Sequence, residues 1–321
     1  MRTLLLVVGA CASLLAGPAR AVTMDWVPVG NPGNAPDTAS NCIGADCGQV
    51  NYNYYISKYD VTNAQYAEFL NAKAASDPHS LYNSAMASDV NGGIIQSGSS
   101  GSYTYAVKSG FANDPVVYVP FWNALRFANW LNNGQGTGDT ETGAYTITGA
   151  GIAANSITRN PGANIFLPSE NEWYKAAYYN PITNSYFTYP AGSSTPTVCA
   201  APGATANTAN CNPNPPLPGG VGKVTDVGAY TRSASPYGAF DMGGNVFQWN
   251  EQIVSGSTRG IRGGSWDGGA NYLATSSPGY DDPTNGPFNV GFRVASLVPE
   301  PGTGLLVITG LLGLAAQRRR A

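Results

Sequence analysis

A stretch near the end of the chain, RGIRGGSWDGGANYLATSS at residues 259–277, has the composition of a loop that faces a ligand. Its glycines permit a tight backbone around one indole, Trp266, and one carboxylate, Asp267. An aromatic ring beside a carboxylate suits the binding of a small molecule or a peptide. The stretch contains no cysteine, histidine or lysine, so it offers neither a thiolate nor an imidazole for chemistry.

Other reactive side chains are few. The only histidine is His79, in the polar segment SDPHSLYN, which excludes a single-chain two-histidine iron site or three-histidine zinc site. A Ser-His-Asp triad would have to use His79, and a solvated loop histidine is the alternative. Asp281 and Asp282 could join Asp267 in one cleft for acid–base chemistry or a hard cation. Their position before Pro283 favours turn capping instead.

Four cysteines remain if Cys11 is removed with an N-terminal signal, and they permit three pairings. We predict the two local disulfides, Cys42 with Cys47 and Cys199 with Cys211, because an exported chain meets oxidising conditions. A metal site is the alternative. Neither pair has C-x-x-C spacing, and no histidine lies near either one.

Part of the secondary structure that positions these groups can be predicted from the sequence. Residues 51–61 are rich in Tyr and Ile and predict a strand. Thr62 with Gln65, and Ser169 with Glu172, have the spacing of capping boxes that begin helices. Residues 119–132 predict a third amphipathic helix. The predicted core residues of these helices are Tyr66, Phe69, Leu70, Trp122, Leu125, Phe127, Ala128, Leu131, Trp173, Ala176 and Ala177.

Composition indicates a loop-rich α+β chain, with 40 glycines, 23 prolines and only 11% charged residues among 321. Residues 132–151 are rich in Gly and Thr and predict a hairpin with flexible ends, and residues after Pro181 predict turns and short strands. The net charge is -3 and the body has no basic patch, so nucleic acid is not an expected partner.

Six ordered motifs in the body of the chain carry a family resemblance. They are YDVTNAQYAEFLNA, VPFWNALRFANWLN, LPSENEWYKAAYY, YGAFDMGGNVFQWNE, RGGSW and GFRVA. Their order resembles the formylglycine-generating enzyme family, whose domain is also called sulfatase-modifying factor. The resemblance implies a domain over residues 22–297 with an α+β fold that has little regular secondary structure and is related to C-type lectins.

The resemblance also implies an activity, the oxidation of a sulfatase cysteine by oxygen at a copper ion. In that family two cysteines that follow the GGS-aromatic motif hold the copper. The matching positions here are Gly268 and Leu273, so copper is not expected. A binding module is therefore the first functional hypothesis. The alternative is an oxidoreductase of the family that acts by a non-standard metal site.

A calcium site is a further implication, because DMGGNVFQW resembles the family's calcium loop. The matching ligands are Asp241, the carbonyls of Gly244 and Val246, and Gln248. Gln248 stands where a carboxylate is usual, which should weaken binding. In the alternative interpretation, Asp241 and Asn245 only stabilise the turn.

Both ends of the chain carry processing signals. Residues 1–21 have the pattern of a secretory signal peptide. Residues 298–321 contain Pro299-Glu300-Pro301, a short apolar run and three arginines, and this order resembles the PEP-CTERM sorting signal. The resemblance implies transient anchoring in the inner membrane, processing by an exosortase, and display on the surface or in the matrix of a Gram-negative bacterium. An ordinary short membrane tail is the alternative.

These observations predict a ligand groove on a surface-displayed binding module, and the ligand would be a saccharide or a peptide. The predicted lining residues are Trp266, Asp267, Asn271, Tyr272, Tyr280, Asp281 and Arg293. For Arg293 the alternative is a buried position in which its guanidinium pairs with a carboxylate.

Overall fold

The computed structural model describes residues 21–38, 42–44, 46–215 and 220–297. The predicted sorting segment, and the predicted signal peptide before Ala21, lie outside these residues. No helix in the described ranges has the length and apolar character that crossing a bilayer requires. The helices are α1 (Asn63–Lys73), α2 (Ala85–Ser88), α3 (Phe121–Asn132), α4 (Gly149–Ala153), α5 (Glu170–Tyr178) and a 3₁₀ helix (Ala270–Leu273).

Short strands form two four-stranded sheets and three two-stranded ribbons within the described residues. The strands are β1 (Trp26–Val29), β2 (Tyr54–Ser57), β3 (Ile94–Ser97), β4 (Thr104–Val107), β5 (Ile165–Phe166), β6 (Tyr179–Asn180), β7 (Ser185–Tyr186), β8 (Val198–Cys199), β9 (Thr208–Ala209), β10 (Phe247–Ser255), β11 (Thr258–Arg262), β12 (Gly279–Asp281), β13 (Val290–Phe292) and β14 (Ala295–Ser296). One sheet has the order β1-β2-β14-β5 and the other the order β12-β11-β10-β13. In the second sheet β10 pairs in parallel with β13, which places residues 288–289 beside the start of β10.

The predicted helices are confirmed, and their starts follow from local chemistry. Thr62 accepts a hydrogen bond from the Gln65 backbone N–H, and the Gln65 side chain accepts one from the Thr62 N–H. Ser169 and Glu172 form the same reciprocal pair at α5. α3 begins at Phe121, two residues later than predicted, because Pro120 occupies the N-cap position.

The predicted core residues of the three helices are all buried. Around α3, the rings of Phe69 and Phe127 meet edge to face at 5.4 Å, and Phe127 meets Phe292 of β13 at 5.3 Å. Such ring pairs add stability beyond the area they bury. The core thus connects α1 and α3 to the sheet that contains β10 and β13.

Two predicted elements differ from the structure. Within residues 51–61 only β2 is a strand, because the residues beyond it make irregular backbone hydrogen bonds, such as that from Val61 N to Phe292 O at 2.9 Å. Residues 132–151 do not form the predicted hairpin. They form turns and the start of α4, and their bridge joins Tyr145 to Arg159 outside the segment.

Both predicted disulfides are confirmed. Cys42 is bonded to Cys47 and Cys199 to Cys211, with Cα–Cα distances of 5.6 and 4.8 Å. The second disulfide ties β8 to the segment after β9, and that segment packs against the glycine-rich loop after β11.

Candidate functional site

The glycine-rich loop after β11 begins with two residues in the left-handed region, Gly263 at φ +98° and Gly264 at φ +71°. A Cβ on Gly264 would lie 2.7 Å from the Leu273 side chain, so only glycine fits this close approach. The loop then returns through the 3₁₀ helix. Along this path Trp266 and Asp267 remain half-buried, whereas Leu273 is fully buried.

Asp267 is held in place by two neighbours. Ser265 Oγ donates to Asp267 Oδ1 at 2.6 Å, and Asn289 Nδ2 lies 3.2 Å from both carboxylate oxygens. Asn289 immediately precedes β13 and accepts a hydrogen bond from the Phe247 backbone N–H at 2.9 Å. The carboxylate and the amide therefore form a fixed polar pair at the end of the sheet.

Four aromatic rings lie around this polar pair, and we call Phe247, Trp266, Tyr272 and Phe288 the aromatic face. The Trp266 and Phe288 rings lie 5.8 Å apart, and those of Phe247 and Tyr272 lie 6.3 Å apart. Tyr272 is 46% exposed and Phe288 is 41% exposed. Large aromatic side chains that remain open to solvent beside hydrogen-bonding groups are typical of binding surfaces.

Trp266 anchors the aromatic face to the interior. With Tyr118, it packs against a small apolar cluster of Val117, Val224 and Val246. Its indole N–H is buried and has no acceptor among the described residues. Tyr118 has φ +64°, a strained conformation for a bulky residue, and donates its N–H to Pro287 O at 3.1 Å. Strained backbone of this kind occurs preferentially at functional sites.

An open pocket of about 390 Å³ lies beside the glycine-rich loop. It is lined by Thr197, Val198, Cys199, Asn212, Pro213, Pro215, Gly269, Ala270 and Asn271. Asn271 is exposed, and it precedes Tyr272 of the aromatic face. The Asn212 backbone N–H donates to Gly268 O at 2.8 Å and joins the pocket wall to the loop. The structure thus brings together four predicted groove residues: Trp266, Asp267, Asn271 and Tyr272.

The other predicted groove residues lie elsewhere. Tyr280 is 63% exposed but belongs to β12, at the edge of the sheet opposite β13. Asp281 Oδ1 accepts hydrogen bonds from the Asp282 N–H at 2.7 Å and from Asn285 at 3.3 Å. Asp281 therefore stabilises a turn, as its position before the proline had favoured.

Arg293 is not part of a groove, and its placement there is corrected. It is fully buried and lies 3.0 Å from Asp60 in an ion pair. Its other hydrogen bonds go to Gln248 Oε1 and to the Ser57 and Phe240 carbonyl oxygens. A buried cation is stable only when it is paired and hydrogen-bonded. The Arg293 guanidinium meets this need with partners from separate segments, and so it holds these segments together.

At the positions that correspond to the family's copper ligands, the structure places no reactive group. Leu273 is fully buried in a small apolar cluster with Ala209 and Cys211, and Gly268 lies against the Tyr272 ring. Within the described ranges, no three His, Cys, Asp or Glu side chains converge in a manner that could hold a metal.

The predicted calcium loop does not fit its ion. Gln248 Oε1 accepts hydrogen bonds from Trp173 Nε1 and Arg293 Nε, both at 2.6 Å, and Gln248 Nε2 donates to Asp241 O at 2.6 Å. The orientation of the amide is unambiguous because indole and guanidinium groups only donate and a carbonyl only accepts. Gln248 therefore turns its oxygen away from the loop.

Asp241 supports the same conclusion. Its Oδ2 accepts a hydrogen bond from the Gly228 N–H at 2.6 Å. Burial raises the pKa of Asp241 to about 6, although the Gly228 bond and the charge of Arg293 oppose the rise. Asn245 bonds Thr225 and Asn210, so these side chains stabilise the turn. A nearby guanidinium and a reversed amide are poor surroundings for a divalent cation.

Residues 26–298 match the family model described as the sulfatase-modifying factor enzyme 1-like domain. The chain belongs to this family. Among curated relatives, hercynine oxygenase of Mycolicibacterium smegmatis is 26% identical over 206 residues, which are 57% of this chain and 37% of the relative. Hercynine oxygenase of Mycobacterium tuberculosis is 30% identical over 203 residues, with the same coverage of 57% and 37%. The chain thus spans less than two fifths of the length of these relatives.

Solved structures confirm the fold. CarF covers 86% of this chain and 99% of its own length, with a TM-score of 0.55 and 19% identity. Treponema denticola variable protein 1 covers 85% and 95%, also with a TM-score of 0.55 and 19% identity. The sulfatase-modifying factor domain therefore has the predicted α+β, C-type-lectin-like architecture.

Sequence reasoning missed three residues of the site. Phe247 lies inside the motif YGAFDMGGNVFQWNE, and Phe288 and Asn289 lie just before GFRVA, separated from it by Val290. Only the parallel pairing of β10 with β13 brings these two segments together. Their position next to the motifs was the available signal.

Proposed function

We propose that this sulfatase-modifying factor domain is a ligand-binding module, and that the aromatic face with the adjoining pocket is its site. The observation that carries the proposal is the fixed Asp267–Asn289 pair beside the aromatic face, of which Tyr272 and Phe288 are exposed. A saccharide suits this surface best. Sugar C–H faces pack on aromatic rings, while hydroxyl groups donate to a carboxylate and accept from an amide.

The domain is further proposed to act outside the cell. Support comes from the N-terminal signal pattern, the two disulfides, and the PEP-CTERM-like end of the sequence. An exosortase would process the membrane-anchored precursor. The processed module would then bind saccharide at the cell surface or in the matrix.

The test is a binding screen of residues 22–297 against a panel of bacterial polysaccharides and, in parallel, a peptide library. Tyr272→Ala is expected to weaken saccharide affinity at least about 10-fold, because one aromatic contact contributes roughly 1.4 kcal/mol. Asp267→Asn tests the polar pair in the same assay. Ile182→Ala is the control, because Ile182 is 88% exposed and lies in the turn between β6 and β7.

Two outcomes would contradict the proposal. Unchanged saccharide affinity in Tyr272→Ala and Asp267→Asn would exclude the aromatic face as the site. Binding to peptides alone would keep the aromatic face as the site but make the ligand a peptide and not a saccharide.

Tyr280→Ala measures whether the binding surface extends to the opposite edge of the sheet.

The second candidate function is oxidative chemistry by a non-standard metal site. It is favoured by the family match and by the sequence similarity to hercynine oxygenases. The natively purified domain should then carry near-stoichiometric copper or iron in elemental analysis by plasma mass spectrometry and should consume oxygen. A purified domain that carries neither copper nor iron and consumes no oxygen would exclude this candidate function.

A further inference from the structure

The Cys199–Cys211 disulfide joins the core to the wall of the open pocket. Cys211 is fully buried and packs with Ala209 and Leu273. Cys199 is half-buried and lines the pocket of about 390 Å³. The two halves of the bond therefore differ in access, and only Cys199 faces a space large enough to admit a small molecule.

We propose that the Cys199 sulfur is a site of thiol–disulfide exchange with a low-molecular-weight thiol that enters this pocket, and that the exchange switches off binding at the adjoining aromatic face. The first half of the proposal stands on the burial of Cys211 and on the position of Cys199 in the pocket wall. The second half rests on the proposed function.

The exchange needs no external oxidant, because one S–S bond forms as another breaks. A thiolate attacks a disulfide sulfur in line with the S–S bond. Because Cys211 lies behind Cys199 in the core, approach from the pocket is directed at the Cys199 sulfur. A new S–S bond forms between the thiol and Cys199 while the Cys199–Cys211 bond breaks. The electron pair leaves on the Cys211 sulfur, which takes up a proton.

The mixed disulfide should persist. The released Cys211 thiol lies among apolar side chains, which disfavour its charged form. Because the thiolate is the nucleophile, a neutral buried thiol closes the original disulfide slowly. The same surroundings make the forward step slow, so the modification is expected to accumulate over minutes to hours when the small thiol is in excess.

The exchange should change the pocket without unfolding the domain. The segment that carries Cys199 retains backbone bonds to β9, from Val198 N to Asn207 O at 3.0 Å and from Ala200 N to Ala209 O at 3.1 Å. Tyr230 OH also donates to Ala200 O at 2.8 Å. The attached thiol occupies the pocket beside Asn271, which blocks ligand access from that side of the aromatic face.

Glutathione is a suitable probe for the first half. Native protein is incubated with reduced glutathione, quenched with acid, alkylated and mapped by peptide mass spectrometry. The expected result is a glutathionyl group on Cys199 with Cys211 as the free thiol. The Cys42→Ser/Cys47→Ser variant should give the same adduct, since its remaining disulfide is the one proposed to react. An adduct mainly on Cys211, or none on either residue while urea-unfolded protein reacts, would overturn the proposal.

Saccharide affinity of the glutathionylated protein tests the second half. We expect a loss of at least about 10-fold with a cooperative thermal transition retained, and recovery after the adduct is removed with dithiothreitol and the disulfide re-formed. Full affinity with the adduct in place would refute the switch and leave the exchange site standing. If the unmodified protein binds no saccharide, the proposed function fails, and the mapping of Cys199 is unaffected.

Discussion

Two tryptophan residues show how one hydrogen bond separates a structural residue from a site residue. Trp173 is fully buried and donates to Gln248 at 2.6 Å, whereas the indole N–H of Trp266 has no acceptor among the described residues. Replacement by Phe removes the same atoms in both cases. The two variants therefore form a matched pair.

We expect Trp173→Phe to lower the free energy of unfolding by about 2–4 kcal/mol, since it loses packing and removes one of the two donors to Gln248 Oε1. Trp266→Phe should cost no more than about 1 kcal/mol, because no hydrogen bond is lost. Urea denaturation measures both. Equal losses would show that Trp266 has an acceptor after all.

Asp114 provides a prediction about pH. Burial, followed by the neighbouring carboxylate of Asp226, raises the pKa of Asp114 to about 6. Between about pH 4 and 6 the folded protein therefore holds more protons than the unfolded chain, so stability falls as the pH rises through this window. The full penalty above pH 6 is at most about 3 kcal/mol.

Asp114→Asn should remove that slope and raise the free energy of unfolding at pH 7 by about 1–3 kcal/mol. Urea denaturation from pH 4 to 7 gives the difference curve. Asp282→Asn is the control, since hydrogen bonds from Thr284 lower the pKa of Asp282 and place its titration below this window. A wild-type slope in Asp114→Asn would contradict the assignment.

At the scale of elements, the start of α5 belongs both to a helix cap and to a buried charge network. Ser169 and Glu172 complete the capping box. Glu172 also pairs with Arg159 at 2.7 Å and accepts from Tyr52 OH at 2.6 Å. Burial alone would raise the pKa of Glu172, but these partners lower it. The same guanidinium pairs with Glu251 at 2.7 Å, so one cation serves two carboxylates.

Ser169→Ala should therefore cost about 1 kcal/mol, the usual value of an N-cap. Glu172→Gln should cost about 3–5 kcal/mol, because it breaks a buried ion pair and weakens the cap at the same time. Thermal and urea unfolding of the two variants test the difference. Similar losses would mean that Glu172 acts only as a capping residue.

At the scale of the whole molecule, a buried guanidinium holds together separate segments of the interior near the sheet. Arg293 connects Asp60, Gln248 and backbone carbonyls from distant segments. Because Gln248 turns its oxygen toward Trp173 and Arg293, millimolar calcium should shift Tm by less than about 1 °C relative to a chelator, as expected for an ion without a site. Calorimetry with and without calcium checks this. A rise of several degrees would show that the loop rearranges around the ion.

Much of the fold followed from local sequence. The capping boxes at Thr62 and Ser169, the apolar faces of α1, α3 and α5, and the two short-range disulfides all depend on residues a few positions apart. Irregular segments were harder to predict from local sequence. Residues 132–151 have turn-forming composition, but their bridge partner Arg159 lies outside the segment, and local preference could not indicate it.

The sequence by itself determined the family, the fold class and the absence of cysteine at positions 268 and 273, because these are encoded in ordered motifs and residue identity. Only the tertiary structure decided which side chains meet. It placed Arg293 in the core, put Tyr280 on the edge strand β12, and brought Phe288 beside Trp266. Side-chain direction and long-range pairing are set by packing between segments far apart in the chain, which no local pattern encodes.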